Sequence, residues 1–413
     1  MKRYINQLIF LGLTGMLFSF ASCQNDLATP EQNNTPDLRP LTNQEAKTVE
    51  SSNDFAFKVF SAIRQKEERQ NIFISPFSIS SALTMAYNGA DGATKAAMQE
   101  ALGFAPQTEE EINQSFKSLN ELLNGIDKKV TFTSANSIWH TKTYQLQAPF
   151  VQKNKTYFGA TIQGLDFAAP GTKTTINNWV KEKTQGKIES IVEDIHSGHV
   201  LFLINAIYFK GAWTYTFDKK LTQKLPFTKE DNSTSSVDFM TLKDGKYLYY
   251  QDATKQLIDL PYGNRQFSMT ILVPKGQNTV SSMAANLNST QLASWVKSAD
   301  TTRLELKMPK FKLEYKKELK EALTQLGMGN AFSISADFSR MIEGKAGGLA
   351  ISEVKHKTFV DVNEEGTEAA AATSVGIVLT SLPPSILVNK PFIFLIREKS
   401  TNAILFIGQL MNP

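Results

Sequence analysis

Five residues in this chain carry side chains suited to metal or nucleophilic chemistry: His140, His196, His199, His356 and Cys23. His196 and His199 stand three apart in "HSGH" and offer two imidazoles to one ion, but no third ligand accompanies them. Gly198 between them reads as a loop, so the pair is taken as a polar loop and no metal site is expected. A single cysteine excludes a disulfide or a thiolate cluster. No nucleophile-elbow pattern, phosphate-binding loop or dinucleotide-binding glycine pattern occurs, and nothing singles out a catalytic carboxylate pair. The chain is expected to be no enzyme and to use no cofactor.

One stretch disagrees with itself. In "EEGTEAAAATSVGIVLTSLPPS", Glu364 to Ser385, Glu368 and Ala369 to Ala372 are helix formers. Val375-Gly376-Ile377-Val378-Leu379 then reads as strand, and Pro383-Pro384 ends any regular element. Such conflicts concentrate at functional positions. His356 lies just upstream in "EVKHKTFVDVN", whose apolar–polar alternation predicts a strand; it reads as a satisfied, partly buried histidine.

The elements that position this stretch begin after an N-terminal leader. Lys2 and Arg3 precede the apolar run "LIFLGLTGMLFSFA", then Ser22 and Cys23, which is the order of an export signal at residues 1–22. "FASC" resembles a bacterial lipobox with Phe20 where leucine is usual, which makes Cys23 the expected lipidation site. Residues 23–46 are polar and Asn/Pro/Thr-rich and are expected to form a flexible tether. Residues 47–413 then read as one large domain. The expected location is outside the cytoplasm, lipid-anchored to the bacterial outer membrane or cell surface, with the anchor as the only membrane contact.

The chain has 413 residues, 41% of them hydrophobic, enough for a large core. Its 44 basic and 40 acidic residues give a net charge of +4 without a Lys/Arg block, so nucleic acid is not an expected partner. Helical spacing appears at Phe55, Val59, Phe60 and Ile63, from Ser75-Pro76 to Asn88-Gly89, and in "GATKAAMQEALGF". β-rich runs follow: "VTFTSANSIWH", "HVLFLINAIYFKGAW", "FSMTILVP", "RLELKMPKFKLEY", "FIFLIRE" and "AILFIGQLM", with helices near Ile176–Lys183 and Lys316–Leu326. The expected class is α+β with largely antiparallel sheets.

Four segments, in order, resemble the serpin family over about Asp54 to Pro413: "NIFISPFSISSALTMAYNGADGATKAAMQEALG", "LINAIYFKGAWTYTFD", "NEEGTEAAAATS" and "ILVNKPFIFLIREKSTNAILFIGQLMNP". The resemblance implies three β-sheets with a large central one, about nine helices, and an exposed reactive-centre loop at about 364–388. It implies a monomeric suicide inhibitor that forms a covalent one-to-one complex with a protease. Cleavage of the loop gives an acyl-enzyme, which is trapped when the loop inserts into the central sheet as a new strand.

A stretch that is loop in one state and strand in another accounts for the conflict. At strand period, one face carries Thr367, Ala369, Ala371, Thr373, Val375, Ile377 and Leu379. The other begins with the charged Glu368 and continues through Ala370, Ala372, Ser374, Gly376 and Val378. The resemblance assigns the hinge to Glu364, Gly366, Thr367, Glu368, Ala369, Ala370, Ala371 and Ala372, and the cleaved bond to Thr380-Ser381. Ile377, Val378, Leu379 and Thr380 then face the protease. Between Gly366 and Asn389 there is no Lys, Arg or Asp, which disfavours trypsin-like targets and favours elastase- or subtilisin-like ones. Chymotrypsin-like and papain-like enzymes become targets if a neighbouring bond serves. The family pattern also places Ser75, Ser78, Asn205 and His356 in a "shutter" cluster, and Trp213, Lys310 and Glu364 at the "breach", with Glu364–Lys310 expected as an ion pair near the surface. The competing expectation is a non-inhibitory serpin acting as a surface binding module. An exported hydrolase would need a catalytic constellation that the sequence does not offer.

Overall fold

The computed structural model describes residues 38–196, 198–344, 349–368 and 384–413. The leader at 1–22, Cys23, Ala369 to Ala372, and Ile377, Val378, Leu379, Thr380 and Ser381 lie outside them. Among the described residues there are nine α-helices: α1 (Asn43–Glu67), α2 (Pro76–Tyr87), α3 (Gly92–Ala101), α4 (Glu109–Gly125), α5 (Ala148–Phe158), α6 (Thr172–Lys183), α7 (Val280–Ala284), α8 (Ser289–Lys297) and α9 (Lys320–Gln325). The first seven strands are β1 (Ile72–Ile74), β2 (Val130–Thr141), β3 (Thr161–Leu165), β4 (Leu201–Ala212), β5 (Gln223–Thr228), β6 (Thr234–Gln251) and β7 (Lys255–Pro261). The rest are β8 (Phe267–Pro274), β9 (Asp300–Pro309), β10 (Phe311–Glu318), β11 (Lys355–Val362), β12 (Gly366–Thr367), β13 (Ser385–Leu387), β14 (Phe392–Glu398) and β15 (Ile404–Leu410). None of the described helices is long and apolar enough to cross a membrane.

Local chemistry sets the helix starts. Ser75 caps α2 and Pro76 fills its first position, where a missing N–H leaves no intrahelical bond unmade. The start of α1 covers residues 43–46, at the end of the segment expected as tether. The Thr42 hydroxyl accepts from the Glu45 N–H, the Glu45 carboxylate accepts from the Thr42 N–H, and Arg39 grips Glu45 at 2.6 and 2.8 Å. That capping box starts α1 at Asn43. Near residue 320 a strand displaces the expected helix: β10 continues through Glu318 and α9 begins at Lys320.

Among the described residues the strands form two hydrogen-bonded networks, the larger of which links two sheets through a shared strand. One runs β1-β15-β14-β8-β7-β6-β9-β13 with β5 paired to β6, and the other runs β10-β11-β12-β4-β2-β3. The long β6 pairs with β5 at one end, with β7 at the other and with β9 from Phe239 to Tyr249, with a register shift between Leu242 and Gly245, and so joins two sheets into one network. The run "RLELKMPKFKLEY" divides at Lys310, so that β9 serves the nine-stranded sheet and β10 the six-stranded one.

Strand alternation places the two faces of the six-stranded sheet. On β4, Ile207 and Phe209 join the main core beneath α2, while Phe202, Ile204 and Ala206 meet Ile176 and Val180 of α6 on the other side. On β11, His356, Thr358, Val360 and Val362 are buried and Phe359 packs toward α6.

The other sheet is anchored by a buried ion pair. Asp259 on β7, 1% exposed, accepts from Ser268 at 2.9 Å, Thr270 at 2.6 Å and Arg397 at 2.9 Å. Burial alone would raise its carboxyl, but Arg397 and the other donors hold it below the usual carboxylate range. Replacing Arg397 by Met strands that charge and is expected to cost about 3–5 kcal/mol, read as a lower thermal unfolding midpoint.

Candidate functional site

The site is a seam in the six-stranded sheet. β10 and β11 pair antiparallel along eight residues, and β2 and β4 pair from Val130 to His140. Among the described residues only β12, two residues long and antiparallel to both, stands between β11 and β4. Gly366 opposes Ala212, while Thr367 opposes Gly211 on β4 and Val362 on β11. Among the described residues no ladder pairs β4 directly with β11. Residue 366 must be glycine: a Cβ there would meet the Gly211 carbonyl oxygen at 2.1 Å.

The mouth of the seam gathers the residues expected at the breach. Glu364, its side chain 5% exposed, accepts from the Thr222 hydroxyl at 2.7 Å and pairs with Lys310 at 3.0 Å. It lies deeper than the expected surface pair, because the chain is drawn inward by its backbone. The Glu364 carbonyl accepts from the Phe217 N–H and the Glu365 carbonyl from the Trp213 N–H, both at 2.9 Å. Burial pushes the Glu364 carboxyl up, but Thr222 and Lys310 outweigh it and the net shift is downward. The Trp213 indole donates to the Asn363 carbonyl at 2.9 Å and stacks on Tyr262, centroids 4.3 Å apart.

Thr367 and Glu368 take opposite faces. Thr367 is buried on the α2 side, sharing a 2.7 Å hydrogen bond with the enclosed Tyr262 hydroxyl. Glu368 faces α6, where its side chain is also buried, so both faces of the expected insert are covered at this point.

Farther along the seam the structure brings Ser75, Ser78, Asn205 and His356 together. The Ser75 N–H donates to His356 Nε2 at 3.0 Å, and the Ser75 hydroxyl donates to the Leu405 carbonyl at 2.7 Å. The Ser78 hydroxyl donates to Asn205 Oδ1. Asn205 Nδ2 donates to Ser134 at 2.9 Å and Asn136 at 2.7 Å. Burial pushes the His356 imidazole down to about 3, so the ring is neutral and its Nε2 remains an acceptor.

Several partners escaped the sequence reading: Thr222, Tyr262, Ser134, Asn136, Tyr208 and Lys187. They are ordinary strand and loop residues, far along the chain from the groups they touch, and only the topology unites them. The "HSGH" rings stack at 5.3 Å, and His199 Nδ1 accepts from the His196 N–H at 2.9 Å. Among the described residues no group of His, Cys, Asp or Glu side chains is placed to hold a metal ion.

Comparison with known proteins agrees with this geometry. Residues 50–413 match the family model described as serpin (serine protease inhibitor). The chain is 38% identical to the leukocyte elastase inhibitor of Bos taurus over 372 residues, 87% of this chain and 97% of that protein. It superposes on the native-state crystal structure of a thermophilic serpin, tengpin, with a TM-score of 0.82 and 34% identity, covering 91% of this chain and 96% of that one. Human thyroxine-binding globulin complexed with thyroxine gives 0.83 and 29%, with 90% and 99% covered. The chain belongs to the serpin family.

The buried His356 ties the site to pH. Its folded pKa of about 3 lies below the unfolded value of about 6.5. Only the unfolded chain takes up a proton as pH falls between those values, so the native state loses up to about 1.4 kcal/mol per pH unit in that window. Glu368, whose carboxyl is raised by burial, acts in the opposite direction. Thermal midpoints measured from pH 7 to 5 are expected to fall less steeply in His356→Gln than in wild type. Equal slopes would show that His356 titrates normally.

Proposed function

We propose that this chain inhibits serine proteases by a suicide route. The observation that carries the reading is β12: the hinge residues Gly366 and Thr367 sit between β4 and β11, and beyond them, among the described residues, the facing edges share no ladder. Continuing its register would set Ala370 between Tyr208 and Phe359, and Thr373 between Asn205 and His356. The inserted strand would then run through the polar cluster. Each ladder hydrogen bond it makes contributes about 0.5–1.5 kcal/mol, a driving force unspent while the loop is outside.

In the step proposed, the protease serine oxygen bonds to the Thr380 carbonyl carbon. The Thr380–Ser381 peptide bond breaks and the Ser381 amine leaves with a proton. The acyl ester remains, and insertion of the loop from the hinge side removes it from water before hydrolysis. Thr380 preceded by Ile377, Val378 and Leu379 suits elastase- and subtilisin-like pockets, and the likeness to a leukocyte elastase inhibitor supports the first. Cleavage at a neighbouring bond would extend the range to chymotrypsin-like and papain-like enzymes. The working unit is a monomer acting on one protease molecule. We further place it outside the cytoplasm, held to a bacterial outer membrane or surface by lipid on Cys23; Cys23→Ser is then expected to shift the protein from the membrane to the soluble fraction.

Mixing the protein with pancreatic elastase, subtilisin, chymotrypsin and trypsin tests the inhibitory reading. The expected result is an SDS-stable band at the summed mass with elastase or subtilisin, and a released peptide beginning at Ser381. Cleavage with no covalent band would instead support the non-inhibitory binding module.

A further inference from the structure

β12 ends at Thr367, and Glu368 adopts φ 57°, a left-handed conformation that residues with a Cβ seldom adopt. Its carboxylate nonetheless points inward, 4% exposed. Three elements face it. From β4, the Tyr208 hydroxyl donates to it. From β11, Asp361 brings a like charge, while the Asp361 carbonyl accepts the Glu368 N–H at 3.2 Å. From the turn after α6, Lys187 Nζ stands 3.5 Å from Oε2, an oxygen with no hydrogen bond of its own, so its contact there is the ion pair. Lys187 also lies over the Phe359 ring of β11 at 5.3 Å. One ammonium on the covering layer therefore neutralises a buried carboxylate of the hinge while resting on the far wall of the seam.

We propose that Lys187 is a positioning residue for loop insertion. It holds the Glu368 carboxylate in the seam, so that the chain halts with Gly366 and Thr367 seated and the third residue poised to follow. Without the cation, the carboxylate faces Asp361 uncompensated, and its route to water is outward. That movement withdraws β12. A loop that starts from outside the sheet inserts later after cleavage, so more of the acyl ester hydrolyses first. This last step rests on the inhibitory reading; the holding of the hinge does not.

The test uses the full chain with Lys187→Ala, Lys187→Arg, Glu368→Gln and the Lys187→Ala/Glu368→Gln pair. Hydrogen exchange in peptides covering residues 364–368 is read without protease, and moles of inhibitor consumed per mole of elastase are read with it. Lys187→Ala is expected to speed exchange at the Gly366 and Thr367 amides about tenfold, and to raise inhibitor consumption about twofold or more at an unchanged rate of association. Lys187→Arg should match wild type. In the Glu368→Gln background, Lys187→Ala should add nothing, because the charge it compensates is gone. Unchanged exchange in Lys187→Ala, or the same increase in the Glu368→Gln background, overturns the proposal. Exchange that responds as expected in a protein forming no covalent complex leaves the positioning role standing and removes the inhibitory reading.

Discussion

Two facing strand edges govern this molecule. β4 and β11 are paired along their outer sides, and among the described residues the row of N–H and C=O groups between them is met by the short β12, Gly366 and Thr367, and by the Glu368 N–H. Unpaired strand edges are a template for another strand, and here the segment adjoining that template is the continuation of β12 itself. The glycine is what lets the chain pass so close to Gly211, since any side chain would strike the carbonyl there. From that single approach follow the placement of Thr367 against Tyr262 and of Glu364 against Thr222 and Lys310.

Polar groups line the seam, in a place where most sheets bury aliphatic side chains. Burying them is tolerable only because each finds a partner: the neutral His356 takes the Ser75 N–H, Ser78 and Asn205 satisfy one another, and Asn205 continues to Ser134 and Asn136. A purely apolar lining would hold the closed form by an undirected effect. Directed hydrogen bonds can be exchanged one for another, which would suit the proposed passage of a new strand.

Much of the architecture was legible from local chemistry. Ser75-Pro76 announced α2, and the alternation around His356 announced β11. Other features were hidden for identifiable reasons. The Thr108–Glu111 capping box of α4 was present in the sequence, but its helix is charged on one face and lacks the apolar density of its neighbours. β6 is long and polar along one side, so it does not read as a strand until β5, β7 and β9 are placed beside it. The burial of Glu368 runs against its residue type; a lysine and a tyrosine from separate elements make it tolerable, and no spacing in the sequence links them. Cross-chain partners such as Thr222 and Tyr262 are products of topology.

The paired ladders divide the central sheet mechanically. β10 with β11 forms one plate, β2 with β3 and β4 forms another, and the seam is the joint between them. The start of α2 straddles that joint: Ser75 at its cap touches His356 on one plate, and Ser78, three residues on, touches Asn205 on the other. Because both contacts come from one rigid turn, the plates cannot part without at least one of them sliding over it. The helix cap, ordinarily a terminal ornament, thereby acts as a clasp shared by the two plates.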